Sequence, residues 1–153
     1  MPSLVLEKVY ESPGGGEKTV VLWVSKHSPL RAQLSVLEER LGGVVVYQLS
    51  GLIPGAETVV EYAGKIGARV VVPVLPLSMI VRLAELSRQS GLTVLITRMS
   101  CVAVTRDIEE ARRLVNEAPD RRTLAVHADG SIRVLEFEKF EKLVEVKLVT
   151  EPF

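Results

Sequence analysis

The densest run of side chains able to do chemistry is Ser25, Lys26, His27 and Ser28, which closes the apolar segment that begins at Thr19. An imidazole exchanges protons near neutral pH, so His27 is a candidate general acid or base. Lys26 is a candidate for stabilising charge on a phosphoryl oxygen, a part Arg98 can share. Further polar residues follow later apolar runs: Gln48 and Ser50, then Ser78, then Thr97, Arg98 and Ser100. Ser28, Ser50, Ser78, Arg98 and Ser100 are therefore candidate ligand-binding residues. Their mixture of hydroxyls and cations suits an anion, and phosphate is the natural choice where helix amide ends face the same rim.

The elements expected to hold these residues alternate. Thr19 to Ser25 reads as a buried strand. Ser28-Pro29 opens a helix, because Ser caps free amides and Pro suits the first helical position. Leu30, Leu34, Leu37 and Leu41 form its apolar stripe, ended by Gly42. Val44 to Leu49 is a second strand, followed by a helix with Ala56, Val59, Val60, Ala63 and Ile66 on one face and Gly67 at its end. Arg69 to Leu75 is a third strand, Ser78 to Ser90 a helix, and Leu92 to Thr97 a fourth strand. Strands joined by helices connect most simply through right-handed crossovers. The expected fold class is α/β, Rossmann-like, with a mainly parallel sheet flanked by helices, and ligands of such sheets sit at the strands' carboxyl ends.

Asp107 and Glu110 start a further helix over Ile108 to Ala118. Then the pattern changes. Thr123 to His127 and Ser131 to Phe137 flank Asp129-Gly130, a tight-hairpin signal, and Leu143 to Val149 alternates as another strand. The expectation is one domain over residues 1–153, with a strand-helix repeat over 19–118 and an antiparallel hairpin or meander over 119–153. This tail is expected on the sheet edge or as a small appended sheet, and the amino-terminal segment Met1 to Tyr10 reads as a strand available to pair with it.

Several functions lack their residues. Gly14-Gly15-Gly16-Glu17-Lys18-Thr19 has Glu17 where a phosphate-binding loop needs Gly before Lys, and it leads into a strand instead of out of one. No Gly-x-Gly-x-x-Gly follows the first strand, so a nicotinamide dehydrogenase is not expected. A Ser-His-Asp hydrolase lacks its nucleophile elbow. His127 sits in a hairpin strand and reads as structural, while the neighbours Glu109 and Glu110 do not face one site and Asp129 belongs to a turn. No metal and no cofactor are expected.

The segment Ser25-Lys26-His27-Ser28-Pro29-Leu30-Arg31-Ala32-Gln33 resembles the Ser-His-x-x-Thr-x-x-Gln-type opening of small CRISPR-associated ring-nuclease-like proteins. It keeps the spacing from His27 to Gln33, with Lys26 between Ser and His and Leu30 in place of the hydroxyl residue. The resemblance implies a Rossmann-like fold, binding of a cyclic oligoadenylate across a homodimer, and metal-independent cleavage of its phosphodiesters. It adds Ser25 to His27 and Lys26 as candidate catalytic positions and Gln33 as a ligand-binding one. The alternative function is a noncatalytic interaction or dimerisation domain whose terminal strands associate through an exposed edge.

Composition narrows the setting. The chain is 47% hydrophobic and 25% charged, with 19 basic residues balanced by 19 acidic ones, so no extended duplex nucleic acid or membrane is expected as a partner. Pro73, Pro76, Ser78 and Arg82 interrupt the longest apolar stretches before they could span a bilayer. The lone Cys101, with no signal-peptide pattern at the start, points to a reducing cytoplasm. A single Asn116 beside abundant Val, Arg and Glu is the bias of thermophile proteins.

Overall fold

A computed structural model describes residues 3–153. Its strands are β1 (Val5–Glu11), β2 (Thr19–Val24), β3 (Val44–Ser50), β4 (Val70–Pro73), β5 (Thr93–Thr105), β6 (Arg122–Val126) and β7 (Ile132–Lys142). Its helices are α1 (Arg31–Leu41), α2 (Ala56–Ile66), α3 (Leu77–Ser90) and α4 (Ile108–Asn116). The sheet order is β1-β3-β2-β4-β5-β7-β6. Contacts divide the chain into two compact units: the described residues up to Ser28 with Gly43–Ile96 and Lys142–Phe153, and Pro29–Gly42 with Thr97–Glu141.

In the first unit β2 pairs in parallel with β3 and β4, and β4 pairs in parallel with β5 at Val70↔Thr93 and Val71↔Val94. The β-branched runs Val44-Val45-Val46 and Val70-Val71-Val72 fit a pleated, buried surface. Leu22, Val24, Leu49 and Val71 pack with Val59 and Ala63 of α2 and Leu83 of α3 in one core cluster. Each fully buried Val or Leu adds about 1.5–3 kcal/mol, so the strand ends that carry the polar residues rest on a firm base. Gly67 and Gly91 close α2 and α3 at φ 70° and 71°, as an αL cap requires.

The second unit contains α1, α4 and the hairpin. Asp107 starts α4 by accepting from the Glu109 amide at 3.0 Å, the cap expected there. β6 and β7 pair antiparallel, closing on Val126↔Ile132 around Asp129-Gly130. Ala111 of α4 packs with Ile132 and Val134 in a separate cluster.

A Rossmann-like, mainly parallel sheet is not what forms. The sheet is mixed, and parallel pairing is confined to its middle strands. β1 lies antiparallel on β3, with Val5↔Ser50 and Glu11↔Val45, and does not pair with the carboxyl-terminal segment; Met1 and Pro2 of that expected strand lie outside the described residues. β5 does not stop at Thr97 but runs on to Thr105, 13 residues in all. Its β-rich run through Val102 and Val104 continues the extended backbone, so Arg98 and Ser100 fall in mid-strand and not at a carboxyl end. Leu143 to Val149 forms no strand; the Leu143 amide donates to the Val94 carbonyl at 2.8 Å, and regular pairing ends at Lys142.

Candidate functional site

The chain leaves β2 for β3 on one side and returns to β4 on the other, so strand order reverses at β2. The carboxyl ends at such a reversal diverge and leave a crevice. Val24 stands level with Leu49 of β3 and Pro73 of β4. Beyond this line the Ser25 amide donates to the Leu49 carbonyl at 3.2 Å and the Val74 amide to the Val24 carbonyl at 2.8 Å. The three chains then part around a cavity of about 390 Å³. Ser25, Lys26, His27 and Ser50 line it with Leu52, Ile53, Val74, Leu75, Pro76 and Met79, among others.

The loop after β2 is held by its backbone. The His27 amide donates to Ser25 Oγ at 3.0 Å, and Trp23 Nε1 donates to the His27 carbonyl at 2.9 Å. Gln48 of β3 fastens both ends: its Nε2 donates to the Ser25 carbonyl at 2.8 Å, and its Oε1 accepts from Ser28 Oγ at 3.2 Å. Gln48 is only 5% exposed, and a buried amide is stable only when its polar atoms are paired. These bonds fix the backbone on either side of Lys26 and His27 while both side chains stay exposed.

Electrostatics separate Lys26 from Lys18, Lys8, Arg82 and Arg98. Lys18 and Lys8 bond to Glu11, Arg82 to Glu57 and Arg98 to Glu141. Lys18, then Lys8, holds the Glu11 carboxyl down to about 2, and Arg82 and Arg98 hold Glu57 and Glu141 below their ordinary value. Among the described residues Lys26 has no carboxylate partner, and no carboxylate orients the His27 imidazole. No group of three His, Cys, Asp or Glu side chains able to hold a metal ion occurs among the described residues.

The expected site residues are thus brought together in part. Ser25, Lys26, His27 and Ser50 share the cavity. Ser28 does not cap α1; the helix begins after Leu30, and the Ser28 hydroxyl is turned to Gln48. Gln33 belongs to the second unit, is 4% exposed, and its Oε1 accepts from the Leu30 amide at 2.7 Å. Ser78 is an exposed residue in the first turn of α3, whose flanking residue is Pro76 with no side-chain cap. Arg98 and Ser100 lie on β5 in the second unit, with Arg98 bonded to Glu141.

Sequence reading noticed Gln48 only as a polar strand end and passed over Trp23. A polar amide inside Val44–Ser50, facing inward by strand alternation, was the available signal. At Leu52 there was none, because loop residues carry no period, while Val74, expected inside the strand Arg69 to Leu75, lies just past β4, which ends at Pro73. Compared with known protein families, curated proteins and solved structures, the chain matches none.

Proposed function

We propose that this chain binds a nucleotide or phosphate ligand at the carboxyl end of β2, and that its enzymatic version is a metal-independent phosphodiesterase acting on a cyclic oligoadenylate. The observation that carries the reading is an ammonium, Lys26, with no carboxylate partner among the described residues, beside the exposed imidazole of His27, on a loop whose backbone Gln48 and Trp23 hold in place. Pre-positioned cations lower the barrier by stabilising charge on phosphoryl oxygens without reorganising. In the enzymatic version His27 moves the proton between the attacking 2′-hydroxyl and the leaving 5′-oxygen while Lys26 neutralises the phosphorus-bound oxygens. Ser25 contributes its hydroxyl at the same edge. The exposed, unbridged Cys101 fits a cytoplasmic protein. No helix among the described residues is long and apolar enough to cross a membrane.

A second reading, a noncatalytic interaction domain that forms homodimers, is favoured by the exposed apolar side chains Val144, Leu148 and Val149. Thermal melting across mononucleotides, dinucleotides and cyclic oligoadenylates separates the two. Ligand stabilisation that disappears in Lys26→Ala and His27→Ala, with unchanged melting of the free variants, is expected for the binding site. No response across the panel contradicts it. Turnover of labelled cyclic oligoadenylate in the presence of chelator distinguishes enzyme from binder.

A further inference from the structure

We infer that the ligand of this cavity joins one flat apolar ring system to a single anionic group, so that a nucleoside monophosphate fits it better than inorganic phosphate, a bare nucleoside or a dinucleotide. The inference rests on the nucleotide-binding reading above and narrows it to one nucleotide unit, which sets it against the enzymatic version acting on a cyclic oligoadenylate. The lining divides by chemistry. Ser25, Lys26 and His27 from the loop after β2, with Ser50 at the end of β3, supply hydroxyls, one ammonium and an imidazole. Facing residues come from the segments leading into α2 and α3 and from the first turn of α3: Leu52 and Ile53, then Val74 and Leu75, then Met79, all apolar.

Leu52 is 71% exposed and Val74 is 59% exposed. Apolar surface left in water forgoes about 25 cal/mol per Å², and a small hydrated anion has no use for such a wall. A heteroaromatic ring laid against Leu52 and Val74 removes this surface from water, while a phosphate attached to it reaches Lys26. The cavity volume of about 390 Å³ lies near the low end of the roughly 300–1,000 Å³ of ligand pockets. That favours one nucleotide unit over two. Lys26 is the only Lys or Arg among the lining residues, which matches one phosphate; the further charges of a di- or triphosphate find no second cation there.

Isothermal titration calorimetry of the wild-type chain with AMP, adenosine, inorganic phosphate and the dinucleotide ApA tests this. We expect AMP to bind at least about tenfold more tightly than each of the others, the loss of either half removing one of two contributions. Leu52→Ser, which removes the apolar surface without adding a charge, is expected to lower AMP affinity about tenfold and to change phosphate binding much less. Val74→Ser, also at an exposed position, is expected to act in the same direction and guards against misfolding of the first variant. Phosphate binding as tightly as AMP, with the preference unmoved by both variants, overturns the inference while the anion site stands. Adenosine or ApA binding as tightly as AMP overturns it from the other side. If the wild-type chain binds none of the four, the nucleotide reading falls with it.

Discussion

Two clusters, Ser25-Lys26-His27-Ser28 after a buried run and Thr97-Arg98-Met99-Ser100 after a partly buried one, each follow a stretch rich in β-branched residues, yet only the first ends its strand. After Val24 the backbone groups find partners in side chains: Ser25 Oγ takes the His27 amide, Trp23 the His27 carbonyl, and Gln48 the Ser25 carbonyl. The chain can leave the ladder without orphaned groups. After Ile96 the strand continues, and β5 remains extended to Thr105. The cations differ as well, since Arg98 is bonded to Glu141, 43 residues away, while Lys26 is bonded to no carboxylate among the described residues. The first cluster thus has its backbone groups satisfied locally while its ammonium is left without a carboxylate among the described residues.

Substitutions at the two clusters can break this contrast. The largest effect is expected at Gly51, which has φ 115° and where a Cβ would sit 2.9 Å from the Ser3 carbonyl oxygen. Gly51→Ala combines backbone strain of about 1–3 kcal/mol with an overpacking cost of similar size, so urea unfolding is expected to report a loss of roughly 2–6 kcal/mol. Gln48→Ala comes next: it leaves the buried Ser25 carbonyl unpaired and is expected to cost about 1–3 kcal/mol, with faster hydrogen exchange at the His27 amide. Ser100→Ala on β5 is expected to stay within about 0.5 kcal/mol.

Lys26→Ala is expected to change stability by less than about 0.5 kcal/mol and to abolish nucleotide stabilisation. Arg98→Ala is expected to cost about 0–1 kcal/mol, as exposed ion pairs do, and to leave nucleotide stabilisation intact. Loss of ligand response in Arg98→Ala would erase the difference between the clusters. The smallest effect concerns acid. Lys18 and Lys8 lower Glu11 from 4.5 to about 2, so its contribution is complete above 4.5 and is lost as pH falls toward 2. An acid melting series should therefore be shallower in this window for Glu11→Gln than for the wild type.

Local chemistry was legible where one residue decides the conformation. Gly67 and Gly91 end their helices, Asp107 caps α4, and Asp129-Gly130 turns the hairpin, each as its residue type requires. Strand order was not, because β1 carries no mark that directs it to β3 instead of to the segment after β7. Leu143 to Val149 alternates like a strand, but alternation supplies no neighbour, and only the Leu143 amide continues the pattern by bonding to Val94. In the site, Lys26 and His27 could be named from sequence alone. Gln33 could not be separated from them by spacing, and its amide proved to serve the start of α1.

The most direct test is an amide NMR titration of the wild-type chain with AMP. We expect saturable shifts concentrated at Ser25, Lys26, His27, Ser50, Leu52 and Met79, with Arg98 and Ser100 unmoved. Shifts confined to β5, or none at all, would contradict an anion site at the carboxyl end of β2.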